Sequence, residues 1–138
     1  MPFSYTSYPE KDFVVIRAKG NVTEEGMISI ARSIAQDPQC RSIGRFLYDG
    51  SDVTGHDLFS LSVSKAAGFL KAAPQARRAF LLARSTDLLV FDAYEAYCRS
   101  VNVIPPKVFF EREQALDYLN EGVPPGKVIG MAESGAGP

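Results

Sequence analysis

Imidazole is nearly absent from this chain: His56 is its single histidine. A multi-histidine metal site is therefore excluded, and any imidazole-based proton transfer has to pass through that one ring. Cysteine is almost as scarce. Cys40 and Cys98 stand alone, without CxxC or metal-ligand spacing. No apolar run approaches the ~20 residues of a membrane-spanning helix. Neither charge sign dominates: 15 basic residues face 16 acidic ones, for a net charge of −1. Nothing in that balance attracts nucleic acid or an anionic membrane surface. The stretch 71–78 holds only three positive charges, too few for a phosphate-binding stripe. No P-loop and no GxGxxG follows a strand, and Gly135-Ala136-Gly137 has no strand before it or helix after it. The opening Met1-Pro2-Phe3-Ser4-Tyr5 lacks the basic and apolar regions of a signal peptide. Together with free thiols, this sets the expectation of a soluble cytoplasmic protein.

What is present is a core. The chain has 138 residues, 46% hydrophobic and 22% charged, enough for one domain without staples. Phe3 and Tyr5 alternate with Ser4 and Thr6, the period of a half-exposed strand. Pro9-Glu10-Lys11-Asp12 is a turn, and Phe13-Val14-Val15-Ile16-Arg17-Ala18 reads as a more buried strand ended by Gly20-Asn21. The short link makes the two an antiparallel hairpin. Thr23 then caps a helix to Gln36, with Glu24 and Glu25 in its first turn. Met27, Ile30, Ala31 and Ile34 form its buried stripe. Gly26 is a flaw there, worth ~1 kcal/mol against alanine.

A strand follows over 44–48, a helix over 57–73 ended by Pro74, and a strand over 78–83. Ser85 or Thr86 caps a helix to Ser100; a strand over 107–110 and a helix over 111–120 complete the pattern. The order β-β-α-β-α-β-α-β-α implies an α/β fold with a mixed, mostly parallel sheet and an N-terminal antiparallel hairpin. One domain is assigned to residues 1–121. Residues 122–138, rich in Gly and Pro, are expected to form a loose tail; the other reading docks Val128-Ile129-Gly130-Met131 on the body or on a second subunit.

The segment Leu47-Tyr48-Asp49-Gly50-Ser51-Asp52-Val53-Thr54-Gly55-His56-Asp57 reads as a strand end, a polar turn and a helix start. In α/β sheets, side chains at the C-terminal ends of strands face the ligand crevice. Asp49, Ser51, Asp52, His56 and Asp57 are therefore the candidate binding residues. Phosphotransfer to Asp49 would need acids after an earlier strand and a lysine after the last one. That earlier strand ends Arg17-Ala18-Lys19-Gly20, and Lys107 precedes its strand, so Asp49 or Ser51 capping a turn is the better reading. His56 could serve as a base toward Ser51, Ser60 or Cys98, but no GxSxG elbow surrounds either serine. A loop histidine, with Asp57 as a helix N-cap, is favoured. Phe91, Tyr94 and Tyr97 align at helical spacing and could line a pocket, with core or subunit interface the favoured reading. Phe3 and Tyr5 on an edge strand invite pairing unless covered, which points to a homodimer contact.

Four pieces over residues 3–120 carry a family resemblance: Gly20-Asn21-Val22-Thr23-Glu24-Glu25 after the hairpin, Asp37-Pro38 with the strand ending at Asp49, the pair Tyr94-Glu95, and Val108-Phe109-Phe110-Glu111 leading into the last helix. In this order and spacing the chain resembles the bacterial SpoIIAA-like (STAS/SEC14-type) small domains. The resemblance implies helices packed chiefly on one side of the sheet and a regulatory or binding role in place of catalysis. Antagonists of the wider group carry a phosphorylatable serine just after an aspartate. Here Asp57 matches that aspartate and Leu58 follows it, with Ser60 two residues further on and Ser51 in the preceding turn. The phosphoserine switch is thereby put in doubt.

The reading that results is a non-catalytic cytoplasmic module without cofactor or metal. It engages a protein partner or a small apolar ligand at the loop after the central strand. Two alternatives stand beside it: a lipid carrier of SEC14 type, and a small hydrolase using His56 with Ser51 or Asp57.

Overall fold

Five strands form one sheet in the order in which they occur along the chain. The computed structural model describes residues 3–57, 65–83 and 88–134. β1 (Phe3–Tyr8) runs antiparallel to β2 (Phe13–Thr23). β2, β3 (Arg45–Asp57), β4 (Arg77–Leu82) and β5 (Lys107–Phe109) are parallel. Each parallel strand lies beside its predecessor, always in the same direction, so right-handed crossovers bring the connecting helices to one face. These are α1 (Glu24–Gln36) and α2 (Leu88–Ser100), with a 3-10 turn Gly68–Ala72 before β4. α3 (Arg112–Leu119) follows the last strand and covers the other face.

Strand alternation sorts the core into two layers. Val14, Ile16, Phe46, Tyr48 and Phe80 face α1 and α2. Phe13, Val15, Leu47, Ala79 and Leu81 face α3, packing against Ala115, Leu116 and Leu119. The mixed sheet, the leading hairpin and the single α/β domain are as the sequence implies. Thr23 caps α1 as expected, its Oγ1 accepting the Gly26 amide at 3.1 Å. Gly26 has a packing reason: a Cβ there would lie 3.1 Å from the Phe3 ring, so glycine lets β1 and α1 approach. Phe3 is buried, and the Tyr5 hydroxyl donates to Asp37 Oδ2 at 2.7 Å. These two aromatic side chains of β1 are thus engaged within the chain, while β1 remains the outer strand of the sheet, paired only with β2.

The largest departure is in the middle strands. β2 continues to Thr23, and β3 continues through the expected turn to Asp57. Gly50 was the misleading signal. A Cβ there would sit 2.8 Å from Tyr48 Cε1 and 3.1 Å from the Leu81 carbonyl oxygen, so the glycine makes room for a ring lying over the strand. The β2–β3 register shifts between Arg17 and Lys19 and again between Gly20 and Asn21. These bulges re-aim the residues that follow. Residues 58–64, with Leu58 and Ser60, and the predicted cap Ser85 or Thr86, lie outside the described residues.

The loose-tail expectation also fails as far as Ser134. Ile129 and Ser134 are buried. Asn120 grips the Ile129 backbone from both sides, Oδ1 accepting its amide at 2.8 Å and Nδ2 donating to its carbonyl at 3.0 Å. Lys11 donates to the Val128 carbonyl and pairs with the Glu133 carboxylate. Docking rests on one buried apolar side chain, one ion pair and several backbone carbonyls, a set that leaves no hydrophobic period to read.

The Lys11 hydrogen bond, foremost, holds the Glu133 carboxyl below its ordinary value. A carboxyl depressed by folding stabilises at neutral pH, and that contribution is lost as pH falls from the unfolded value of about 4.3 through the lower folded one. Hydrogen exchange is expected to show amides of 127–134 losing protection on acidification before those of β2–β4. Glu133→Gln should remove that pH dependence; parallel loss in wild type and variant would contradict it.

Candidate functional site

The helix-bearing side of the sheet does not close onto its helices. Between them lies a cavity of about 440 Å3, within the ~300–1,000 Å3 range of small-molecule sites. Ile16, Phe46, Tyr48 and Phe80 form its floor; Met27, Ile30, Ala31 and Ile34 of α1 form one wall; Val90, Phe91 and Tyr94 of α2 form another; Phe69 and Leu70 complete it. Ile30, Ala31 and Ile34 are only half-buried although they lie on the inward stripe of α1, because they border this space in place of opposing side chains. Phe80 is the central ring, edge-on to Tyr94 at 5.3 Å and tilted against Tyr48 at 5.2 Å.

The polar side chains among the described lining are few: the Tyr48 and Tyr94 phenols, the Cys40 thiol and three basic groups. Arg41, Arg78 and His56 contribute basic side chains, and no Asp or Glu is among the described lining residues. Arg78 is 4% exposed. Its guanidinium donates to the carbonyls of Ala73 at 2.8 Å, Leu70 at 3.2 Å and Ala76 at 3.4 Å, and lies 5.6 Å over the Phe46 ring. Burial pulls its pKa down, opposed only by Cys98. Its described contacts include no carboxylate. Burial raises the Tyr94 phenol above its ordinary range and pushes the Cys40 thiol up to about 11. Burial raises Cys98 as well. Both sulfurs are protonated thiols at neutral pH, which removes Cys98 as a nucleophile.

The structure divides the sequence-predicted site residues between the two faces of β3. Asp49 is buried toward α3: its Oδ2 accepts Arg112 Nη2 at 2.9 Å, and its Oδ1 accepts the Ser51 hydroxyl at 2.6 Å and the Ser51 amide at 3.1 Å. Asp52 and Asp57 are exposed on the strand. Asp57 is the last residue of β3, and the helix start it was expected to cap lies outside the described residues. His56 alone reaches the cavity, brought to that side by the register shifts. Neighbouring residues of an extended strand point to opposite faces, so His56 and Asp57 do not share a site, and the Ser51 hydroxyl is committed to Asp49. Asp49, Ser51, Asp52, His56 and Asp57 therefore form no single loop site. Sequence reasoning missed Arg41, Arg78 and Phe80; the one available signal was the Phe91–Tyr94 spacing, read there as core or interface. Among the described residues, no group of His, Cys, Asp and Glu could hold a metal ion. No described helix is long and apolar enough to cross a membrane.

No family model matches the chain, and no curated protein matches it. Among solved structures, the anti-sigma factor antagonist SpoIIAA in its unphosphorylated form is similar at 17% identity and a TM-score of 0.59, covering 86% of this chain and 98% of its own. With the strand order and the placement of the helices, that likeness shows that the chain has the SpoIIAA-like α/β fold.

Proposed function

We propose that this domain is a non-catalytic, cytoplasmic binding module that captures a small apolar ligand between its sheet and α1 and α2. The observation that carries this reading is the 440 Å3 cavity, walled by aliphatic and aromatic side chains. A hydrolase finds less support, since His56 lies apart from Asp57 and Ser51 serves Asp49. Regulatory binding of a protein partner is the second reading, favoured by the fold of an anti-sigma factor antagonist. The ligand site would then modulate a partner contact made elsewhere on the domain.

Nile red, a neutral apolar dye, tests capture directly. Wild-type protein is expected to raise its fluorescence saturably, and Ala31→Phe, which projects a ring into the cavity, should reduce that affinity at least ~10-fold while circular dichroism stays unchanged. Native mass spectrometry of the freshly purified protein should show excess mass that vanishes on denaturation. No dye uptake together with a bare polypeptide mass would overturn the proposal.

A further inference from the structure

We infer that the ligand of this cavity is a fatty acid, its carboxylate drawn to the end of the cavity where Arg78 and Arg41 stand. This rests on the capture of an apolar ligand proposed above and adds the charge of the headgroup. A buried cation is ordinarily matched by an anion, because removing it from water is costly. Arg78 is buried with three carbonyl oxygens and a ring about it and no described carboxylate. Carbonyl dipoles orient the guanidinium without cancelling its charge. Among the described residues the lining of the cavity beside it contains no acid, so an anion brought by the ligand would supply the missing partner.

Position supports the same headgroup. Arg78 pairs in register with Phe46 at the start of β4 and β3, and Arg41 lies in the connection that leads into β3. Both guanidinium-bearing residues thus belong to one end of the sheet. Arg41 is exposed and has no ion pair among the described residues. The rest of the described lining is dominated by Phe, Ala, Ile and Leu, suited to an alkyl chain. A monoanion fits better than a dianion, since only one cation is buried there and a second uncompensated charge would be costly. The planar guanidinium also matches the two oxygens of a carboxylate.

Displacement of Nile red from the full chain by hexadecanoate and by hexadecan-1-ol, below their aggregation limits at neutral pH, tests the headgroup without any variant. The acid is expected to displace the dye at ~10-fold or more lower concentration than the alcohol. Arg41→Gln, at an exposed position, and Arg78→Gln should each narrow that gap by weakening the acid while leaving the alcohol unchanged. If Arg78→Gln fails to fold, Arg41→Gln alone assigns the end of the cavity. Equal displacement by acid and alcohol would overturn the anionic headgroup and leave apolar capture standing. An acid advantage that persists undiminished in every folded variant would overturn its placement at this end. Displacement by neither would overturn the single-chain ligand, and absence of dye binding would be the separate failure of capture itself.

Discussion

Replacing Arg45 with methionine is expected to destabilise the protein by about 3 kcal/mol and to release the C-terminal segment. Arg45 opens β3 and is 4% exposed. Its Nη1 donates to the Leu119 carbonyl at 3.0 Å and to Asn120 Oδ1 at 3.3 Å, while Nη2 donates to the Lys127 carbonyl at 2.7 Å and to the carbonyl of Lys11. One side chain thus ties the β1–β2 turn, the end of α3 and the docked tail to the central strand. Methionine keeps much of the apolar stem but leaves these acceptors without their donor. Each hydrogen bond to a charged group contributes about 1.5–3 kcal/mol, and relaxation of the tail toward water recovers part of the total. Urea titration should show a lower midpoint, and hydrogen exchange should show selective loss of protection over 123–134. A loss under about 1 kcal/mol with the tail still protected would mean that Ile129 and Asn120 hold the segment unaided.

Arg45 also shows where the sequence was legible and where it was not. The sheet could be read because Phe13-Val14-Val15-Ile16 and Phe46-Leu47 carry the apolar runs of buried strands, and because Thr23, Pro74 and Pro105 punctuate them. Those signals are local. Arg45 reads locally as a surface charge, and its burial depends on carbonyls brought to it from positions 11, 119 and 127. The docked tail was legible only as the second of two readings, through the apolar Val128-Ile129, because the partners that hold it come from distant positions. Gly50-Ser51 misled in the opposite direction: a turn dipeptide by propensity, it is a strand interior by virtue of the Tyr48 ring. The cavity is a different case. Ile30 and Ala31 on α1 give the same helical period whether a side chain or empty space faces them, so periodicity reports the inward face without saying what fills it. Of the five residues singled out as a site, only His56 borders the cavity.

Asp49→Ala is expected to cost about 3 kcal/mol of stability while leaving dye capture in the cavity unchanged. The carboxylate is 5% exposed and its partner Arg112 is largely covered as well. Arg112 also donates to the Ser134 carbonyl at 2.7 Å, so the pair joins β3, α3 and the end of the tail. Deleting the acid leaves a partly buried guanidinium without a counter-ion, which is the costly way to break such a pair. Arg112→Met should cost less, because Ser51 still donates twice to Asp49. The double variant should be more stable than the sum of the two losses allows, with a coupling of about 1.5 kcal/mol, since it leaves neither charge unpaired. Nile red binding separates this structural role from a ligand-binding one. Asp49 faces α3, on the side of the sheet away from the cavity, so an unchanged affinity in folded Asp49→Ala is the expected result. Lost affinity at unchanged stability would return Asp49 to the ligand site and place the binding surface at β3 instead of beneath α1 and α2.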